Sequence, residues 1–542
     1  MKAFAKPFFV GIPVISALIL AGCDTKGIQP TTYTISGTVV HLAGTAGGLV
    51  LQDNVKDTLP VNANGTFTFA ATVASGDPYN VSILTQPSDP AQICAVTNGV
   101  GIATSDVTKV VVNCGHNEWA WMKGPNTVSN NGVYGALDVA AINNNPGGRQ
   151  APATWTDASG NLWLFGGYGF DSATQSYVLM NDLWKYGGGE WTWMSGPNLG
   201  GANGTYGILG VPSALNAPGA RYQATSWTDS SGNLWLFGGI GNDSSGTNGT
   251  LNDLWKYSGG EWTWMGGSDL ADQPGAYGTL DVAAASNIPS TRSGALSWTD
   301  SSGDFWLFGG FHRDSSDANG MLNDLWKYSN GQWTWESGSK LVNQKGLYGE
   351  QGVSAPENIP GARNWAVGWT DSAGNLWLFG GVGYDGAGSN GLLNDLWKYS
   401  NDQWTWVSGS TANTQNGMYG TQGTAGGNSP GSRQLAVSWT DSSGNFWLFG
   451  GNGMDSVGAE GLLNDLWKYS NGQWTWTSGS KLINQNGVYG IQGTLAPGNV
   501  PGVRYFAAPW VDPNGNLWLF GGYGAPAAGT EGNLNDLWMY LP

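Results

Sequence analysis

From residue 117 onward, apolar and polar positions recur in blocks. The apolar run NLWLFGG, or a close variant, begins at Asn161, Asn233, Asp304, Asn375, Asn445 and Asn516, and NDLW begins at Asn181, Asn252, Asn323, Asn394, Asn464 and Asn535. A W-x-W pair stands at Trp119/Trp121, Trp191/Trp193, Trp262/Trp264, Trp333/Trp335, Trp404/Trp406 and Trp474/Trp476. A fixed period of about 71 residues marks a repeat architecture. In the second unit the pattern predicts four strands, over 221–229, 233–239, 252–257 and 261–265. Leu234-Trp235-Leu236-Phe237 is apolar on both faces, as a strand sandwiched between two sheets must be. Trp262 and Trp264 are two apart and therefore share one face of the fourth strand. Gly238-Gly239 ends the second strand, where a missing Cβ allows a bend or a close backbone approach.

Upstream the period changes to two. Thr32-Tyr33-Thr34-Ile35-Ser36, Thr66-Phe67-Thr68-Phe69 and Tyr79-Asn80-Val81-Ser82-Ile83 read as half-buried strands, with Asn64-Gly65 as a hairpin turn. Residues 31–115 are thus expected to form a small β-sandwich-like module, similar in general character to the immunoglobulin-like modules that precede repeat domains in bacterial surface proteins. The first residues read as an address. Lys2 and Lys6 precede an apolar stretch over 8–20 that is short for a membrane span. It ends in Leu20-Ala21-Gly22-Cys23, which resembles the lipobox of bacterial lipoproteins; the resemblance implies cleavage before Cys23 and acylation of that residue. Asp24 resembles an inner-membrane retention signal, a rule that does not hold in every lineage. The expected layout is a signal peptide over 1–22, a tether over 23–30, the β-module, and the repeats over 117–542. The location is then the bacterial cell envelope, on the periplasmic face of the inner membrane, the outer membrane or the cell surface. With Cys23 lipidated, Cys94 and Cys114 remain as an even pair that an oxidising compartment would let bond; two buried free thiols are the alternative.

Composition narrows the function. The chain has 542 residues, more than single cores usually span. It carries 21 Lys+Arg against 38 Asp+Glu, a net charge of −17, which argues against nucleic acid as a partner. Its 88 Gly and 31 Trp suit short strands and tight turns, an all-β chain. Every Trp lies beyond residue 117, so packing between repeats is the expected role.

Arg149, Arg221, Arg292, Arg363, Arg433 and Arg504 precede the first strand of each unit. An arginine-led first strand, an aromatic second strand ending in Gly-Gly, and a later Trp together resemble the Kelch repeat. The units are longer than the roughly 50 residues of that family. The last unit lacks its own W-x-W strand, and an unpaired one stands at 118–122. The expectation is a six-bladed Kelch-like β-propeller whose last blade is closed by the N-terminal strand.

In such a propeller the excess length falls in the loops between second and third strands, about a dozen residues here, and between fourth and first, about 25. Loops of that length on a rigid scaffold are the usual place for recognition, unless they pack on their neighbours as decoration, which a recurring Tyr-Gly (Tyr134, Tyr206, Tyr277, Tyr348, Tyr419, Tyr489) favours. The six arginines are candidates for a ring around the channel mouth that binds an anion, as in some Kelch domains; the competing reading has each bonding carbonyls and carboxylates of its own blade. The residue after the arginine varies: Gln150, Tyr222, Ser293, Asn364, Gln434, Tyr505. Irregular features gather at His312, Arg313, Asp317, Glu350, Glu357 and Trp365. Asp171, Asp243, Asp314, Asp385 and Asp455 recur in Gly/Ser/Asn-rich loops, a weak calcium signal against the alternative of solvated turns. The aspartates of NDLW and W-x-D are expected to cap turns.

These observations favour a non-catalytic, lipid-anchored recognition or scaffold protein that presents its loop face to a protein or glycan and needs no cofactor. The alternatives are a carbohydrate-active enzyme, since a sialic acid mutarotase is also a six-bladed Kelch protein, and a structural component of the envelope. Galactose oxidase chemistry is excluded: its copper needs two His and a Tyr crosslinked to Cys, and the repeats hold only His312 and no Cys within them.

Overall fold

The computed structural model describes residues 31–542 apart from 41, 43–47, 55, 88–93, 115–116, 172–173, 175, 314–315, 317 and 442. The signal peptide, the tether, Cys23, Asp314 and Asp317 lie outside the described residues. Every regular element described is a strand.

The chain divides into two compact units, Met1–Val112 and Asn113–Pro542. The first holds two four-stranded sheets. One pairs Thr32–Val40 with Gly65–Ala74; the other pairs Leu49–Asp53 with Asp57–Val61 and Pro78–Thr85. Ile35, Val39, Leu49, Leu51, Phe67, Phe69 and Val81 form its buried side, alternating with exposed polar positions as the period-two pattern requires. Cys94 and Cys114 form a disulfide.

The second unit is a β-propeller of repeated antiparallel sheets. In the second repeat the order is Arg221–Tyr222 and Thr225–Thr228, then Leu234–Asn242, Asn248–Ser258 and Glu261–Gly266. Six sheets of this plan occur among the described residues. Their innermost strands touch in sequence, and Ala508–Val511 of the last returns to Ala153–Thr156 of the first. Between each pair of neighbours lies one aromatic cluster. Trp155, Phe165 and Leu183 of the first sheet, for example, pack on Leu236, Trp255 and Trp262 of the second. The last sheet takes its outer strand from the start of the unit: Glu118–Lys123 pairs with Gly532–Leu541, with Trp119 opposite Tyr540 and Trp121 opposite Trp538.

Three details differ from the expectation. The first strand is broken: Gln223 sits at φ 56 between its two halves. The second and third strands run on past Gly239, pairing Ile240–Thr250 and Asn242–Asn248, so that only 243–247 remain as a turn instead of a dozen residues. That extension is held by backbone pairing and, at its tip, by Asn248 Nδ2 donating to Asn242 Oδ1, through residues with no apolar alternation. The long fourth-to-first loops, finally, do not stand free. Residues 197–220 run along the outer strand of the sheet they enter, with Gly210 N–H donating to the Trp264 carbonyl and Asn216 Nδ2 to that of Trp262. They cover a sheet edge that would otherwise present unpaired backbone groups.

Candidate functional site

Each repeat arginine is about 1% exposed and forms a two-pronged ion pair at 2.6–2.9 Å with the NDLW aspartate of its own sheet: Asp182, Asp253, Asp324, Asp395, Asp465 and Asp536. Arg221 also donates from Nε to the Gly219 carbonyl and from Nη1 to that of Gly238. Asp253 further accepts from the Tyr206 hydroxyl and the Trp255 indole, both at 2.7 Å. The arginines thus point into the sheets, each engaging groups of its own sheet, and do not ring the channel. The NDLW aspartates cap no turn. For Asp395, burial opposes ionisation, but Arg363 and the bonds from Tyr348 and Trp397 outweigh it and hold the carboxyl below the usual range. The W-x-D aspartates do cap their turns: Asp229 accepts from Ser231 and Asn233 N–H and from the Trp235 indole.

The described calcium candidates, Asp171, Asp243, Asp385 and Asp455, behave as turn caps. Asp243 accepts Ser245 and Thr247 N–H on one oxygen and Ala271 N–H on the other. Asp385 and Asp455 repeat the arrangement, and Asp171 accepts from Thr174 and Gly200. No group of three or more His, Cys, Asp or Glu suited to a metal occurs among the described residues.

His312 and the two glutamates sit in different places. His312 Nδ1 lies 2.7 Å from Thr291 Oγ1, and its Nε2 lies 3.2 Å from Asp272 Oδ1. The side chain of Arg313 lies outside the described residues. Glu350 and Glu357 are exposed on the loop along the outer strand of the fourth sheet, where Gly352 N–H reaches the Trp406 carbonyl. That strand is three strand spacings, about 14 Å, from the inner one.

The channel is lined by residues two positions after each arginine: Ala151, Gln223, Gly294, Trp365, Leu435 and Phe506. All six adopt the left-handed conformation, with φ between 51° and 63°. Their backbones are linked from sheet to sheet, as in Gln223 N–H to Ala151 O, Trp365 N–H to Gly294 O and Ala151 N–H to Phe506 O. The Trp365 indole crosses the third sheet to donate to Gln223 Oε1 at 3.2 Å and meets Phe506 edge-on at 6.1 Å. A Cβ on Gly294 would lie 2.5 Å from that indole, so this glycine makes the crossing possible. The channel cavity is about 280 Å³, and no ionisable side chain lines it among the described residues. Sequence reasoning found Trp365 but not its ring; the signal available was that this position holds a different residue in every repeat.

Beside the channel, the residue after each arginine pairs across strands with the residue after Gly-Gly: Gln150 with Tyr168, Tyr222 with Ile240, Tyr505 with Tyr523. Three contiguous sheets therefore gather tyrosines. Tyr168 packs on Tyr222 at 6.0 Å and stacks on Tyr177 at 5.9 Å; Tyr505 stacks on Tyr523 at 5.3 Å and meets Phe506 at 5.6 Å. Burial, with Tyr168 adding to it, pushes the Tyr222 hydroxyl up. A cavity of about 620 Å³ between the first and second sheets is lined by Gln150, Tyr168 and Tyr177 of the first and by Tyr222, Ile240, Asn242 and Asn248 of the second. The side-chain carbonyl oxygens of Gln150, Asn364 and Gln434 are buried without a hydrogen-bond partner. Each such acceptor costs about 1–3 kcal/mol.

No protein-family model and no curated protein matches the chain. Solved structures do. The structure of YjhT aligns over 72% of this chain and 95% of its own, with 14% identity and a TM-score of 0.42. A fungal alcohol oxidase of the AA5 family, in complex with copper, aligns over 72% of this chain and 62% of its own, with 15% identity and a TM-score of 0.36. A protein of unknown function from Bacteroides thetaiotaomicron aligns over 91% of this chain and 90% of its own, with 10% identity and a TM-score of 0.38.

Proposed function

We propose that the chain is a non-catalytic recognition protein of the bacterial cell envelope, held by a lipid on Cys23, whose six-bladed Kelch-like propeller presents a tyrosine-rich face to a glycan. The six repeated sheets and the strand Glu118–Lys123 on the last of them support the six-bladed reading. The two small sheets of the first unit support a β-sandwich-like spacer. The observation that carries the recognition reading is the gathering of Tyr168, Tyr177, Tyr222, Tyr505 and Tyr523 beside a channel lined by uncharged side chains. Aromatic rings with polar tips give large contact area at low entropic cost. The imidazole and carboxylate candidates for general acid–base chemistry, His312, Glu350 and Glu357, stand elsewhere.

A glycan array probed with the Cys23→Ser protein tests the reading. Saturable binding to a defined set of glycans is expected, together with release of this variant from membranes. Uniform failure across the array would leave the structural envelope role in its place.

A further inference from the structure

We propose that the cavity between the first and second sheets is a subsite for one uncharged sugar residue, with Tyr168 and Tyr222 as its aromatic wall and Gln150 as the acceptor of a sugar hydroxyl. This rests on the recognition reading above. The volume of about 620 Å³ falls within the range of small-molecule sites. The apolar face of a pyranose needs a flat aromatic partner, and Tyr168, Tyr177 and Tyr222 form a contiguous set of rings. Its hydroxyls need acceptors, and Gln150 Oε1 is a buried acceptor with no partner. Among the described residues, no Lys, Arg, His, Asp or Glu lines the cavity. An acidic sugar would therefore bury its carboxylate unpaired, which is strongly unfavourable.

The repeats supply an internal comparison. Asn364 and Gln434 also carry unpartnered buried carbonyls, but Val382 and Asn452 stand across from them and provide no ring. Tyr177 has no counterpart: four residues before NDLW the other repeats carry Asn248, Asn319, Asn390, Glu460 and Glu531. Departure from the repeat and an unsatisfied polar group thus coincide at one place in the ring. Neither feature contributes to packing between sheets, which uses the tryptophans of the inter-sheet clusters.

The test uses the full chain in detergent, titrated calorimetrically with neutral tetrasaccharides of gluco, galacto and manno configuration and with a sialylated trisaccharide. At least one neutral sugar is expected to bind. Its affinity should fall more than tenfold in Tyr222→Ala and about fivefold in Gln150→Leu. Tyr222→Phe, which keeps the ring and guards against a folding artefact, should retain most of it, and Trp365→Ala should leave it within twofold. Binding that survives Tyr222→Ala but is lost in Trp365→Ala would overturn the subsite while leaving recognition intact. Binding confined to the sialylated sugar would overturn the uncharged-ligand assignment. Absence of binding by every sugar would overturn both the subsite and the recognition reading.

Discussion

At the scale of single residues, one aspartate organises each sheet. Asp253 receives Arg221, Tyr206 and Trp255 at once, from three different stretches of chain, and all four residues are buried. Removing one partner of a buried ion pair leaves an uncompensated charge, so Arg221→Ala should destabilise the propeller by about 3–5 kcal/mol in denaturant unfolding. The same geometry sets an acid limit. The carboxyl of Asp395 is held below its unfolded value of about 3.9. A depressed carboxyl contributes stability above its unfolded pKa and loses it as pH falls through its folded pKa. Stability measured against pH should therefore drop below about pH 4, and Asp395→Asn should flatten that part of the profile while lowering stability at neutral pH. The six arginines were visible in the sequence as a period, and their burial was one of two readings. Their partners were not legible, because Arg221 and Asp253 lie 32 residues apart and periodicity carries no information about which repeated positions meet.

At the scale of strands, glycine placement decides where the sheet bends. Gly239 has φ 93, and a Cβ there would lie 2.7 Å from the Tyr222 carbonyl oxygen, at the register shift that begins at Phe237. Gly239→Ala should lower stability by about 1–3 kcal/mol in thermal unfolding. Gly266, where an added Cβ would meet nothing within 4 Å and the backbone is not left-handed, is the control, and Gly266→Ala should be close to neutral. The Gly-Gly bend was legible because glycine marks such sites. The bend at Gln223, Trp365, Leu435 and Phe506 was not, since nothing in those side chains announces a positive φ; the sheet-to-sheet backbone bonds impose it. The length of the second and third strands was hidden for a related reason. Their distal halves, such as Gly241 opposite Gly249, have no hydrophobic alternation to read. The tyrosine face shares this limit: Tyr222 and Tyr505 stood out by their variation, whereas Tyr168 and Tyr177 join them only through packing, Tyr168 on Tyr177 within the first sheet and on Tyr222 across to the second.

At the scale of the propeller unit, stability depends on closing the ring. Trp119 is buried against Phe449 of the fifth sheet and Trp538 and Tyr540 of the sixth, so one strand joins the start of the unit to its end. Trp119→Ala should cost about 3–5 kcal/mol, read as a lower denaturant midpoint for the whole unit and not as a separate early transition. This closure was legible from the count of W-x-W strands, because a missing strand at one end and a surplus one at the other leave a single pairing. The repeat pattern made the scaffold legible but not its function, since one architecture hosts many activities.

The central claim, recognition without turnover, is tested most directly by two-dimensional proton exchange spectroscopy on a reducing sugar drawn from the glycans that bind, at equilibrium with the protein. The account predicts ligand line broadening with no exchange cross-peak between the α and β anomeric protons beyond the protein-free rate. Protein-dependent anomeric exchange would contradict it and assign the chain a catalytic role.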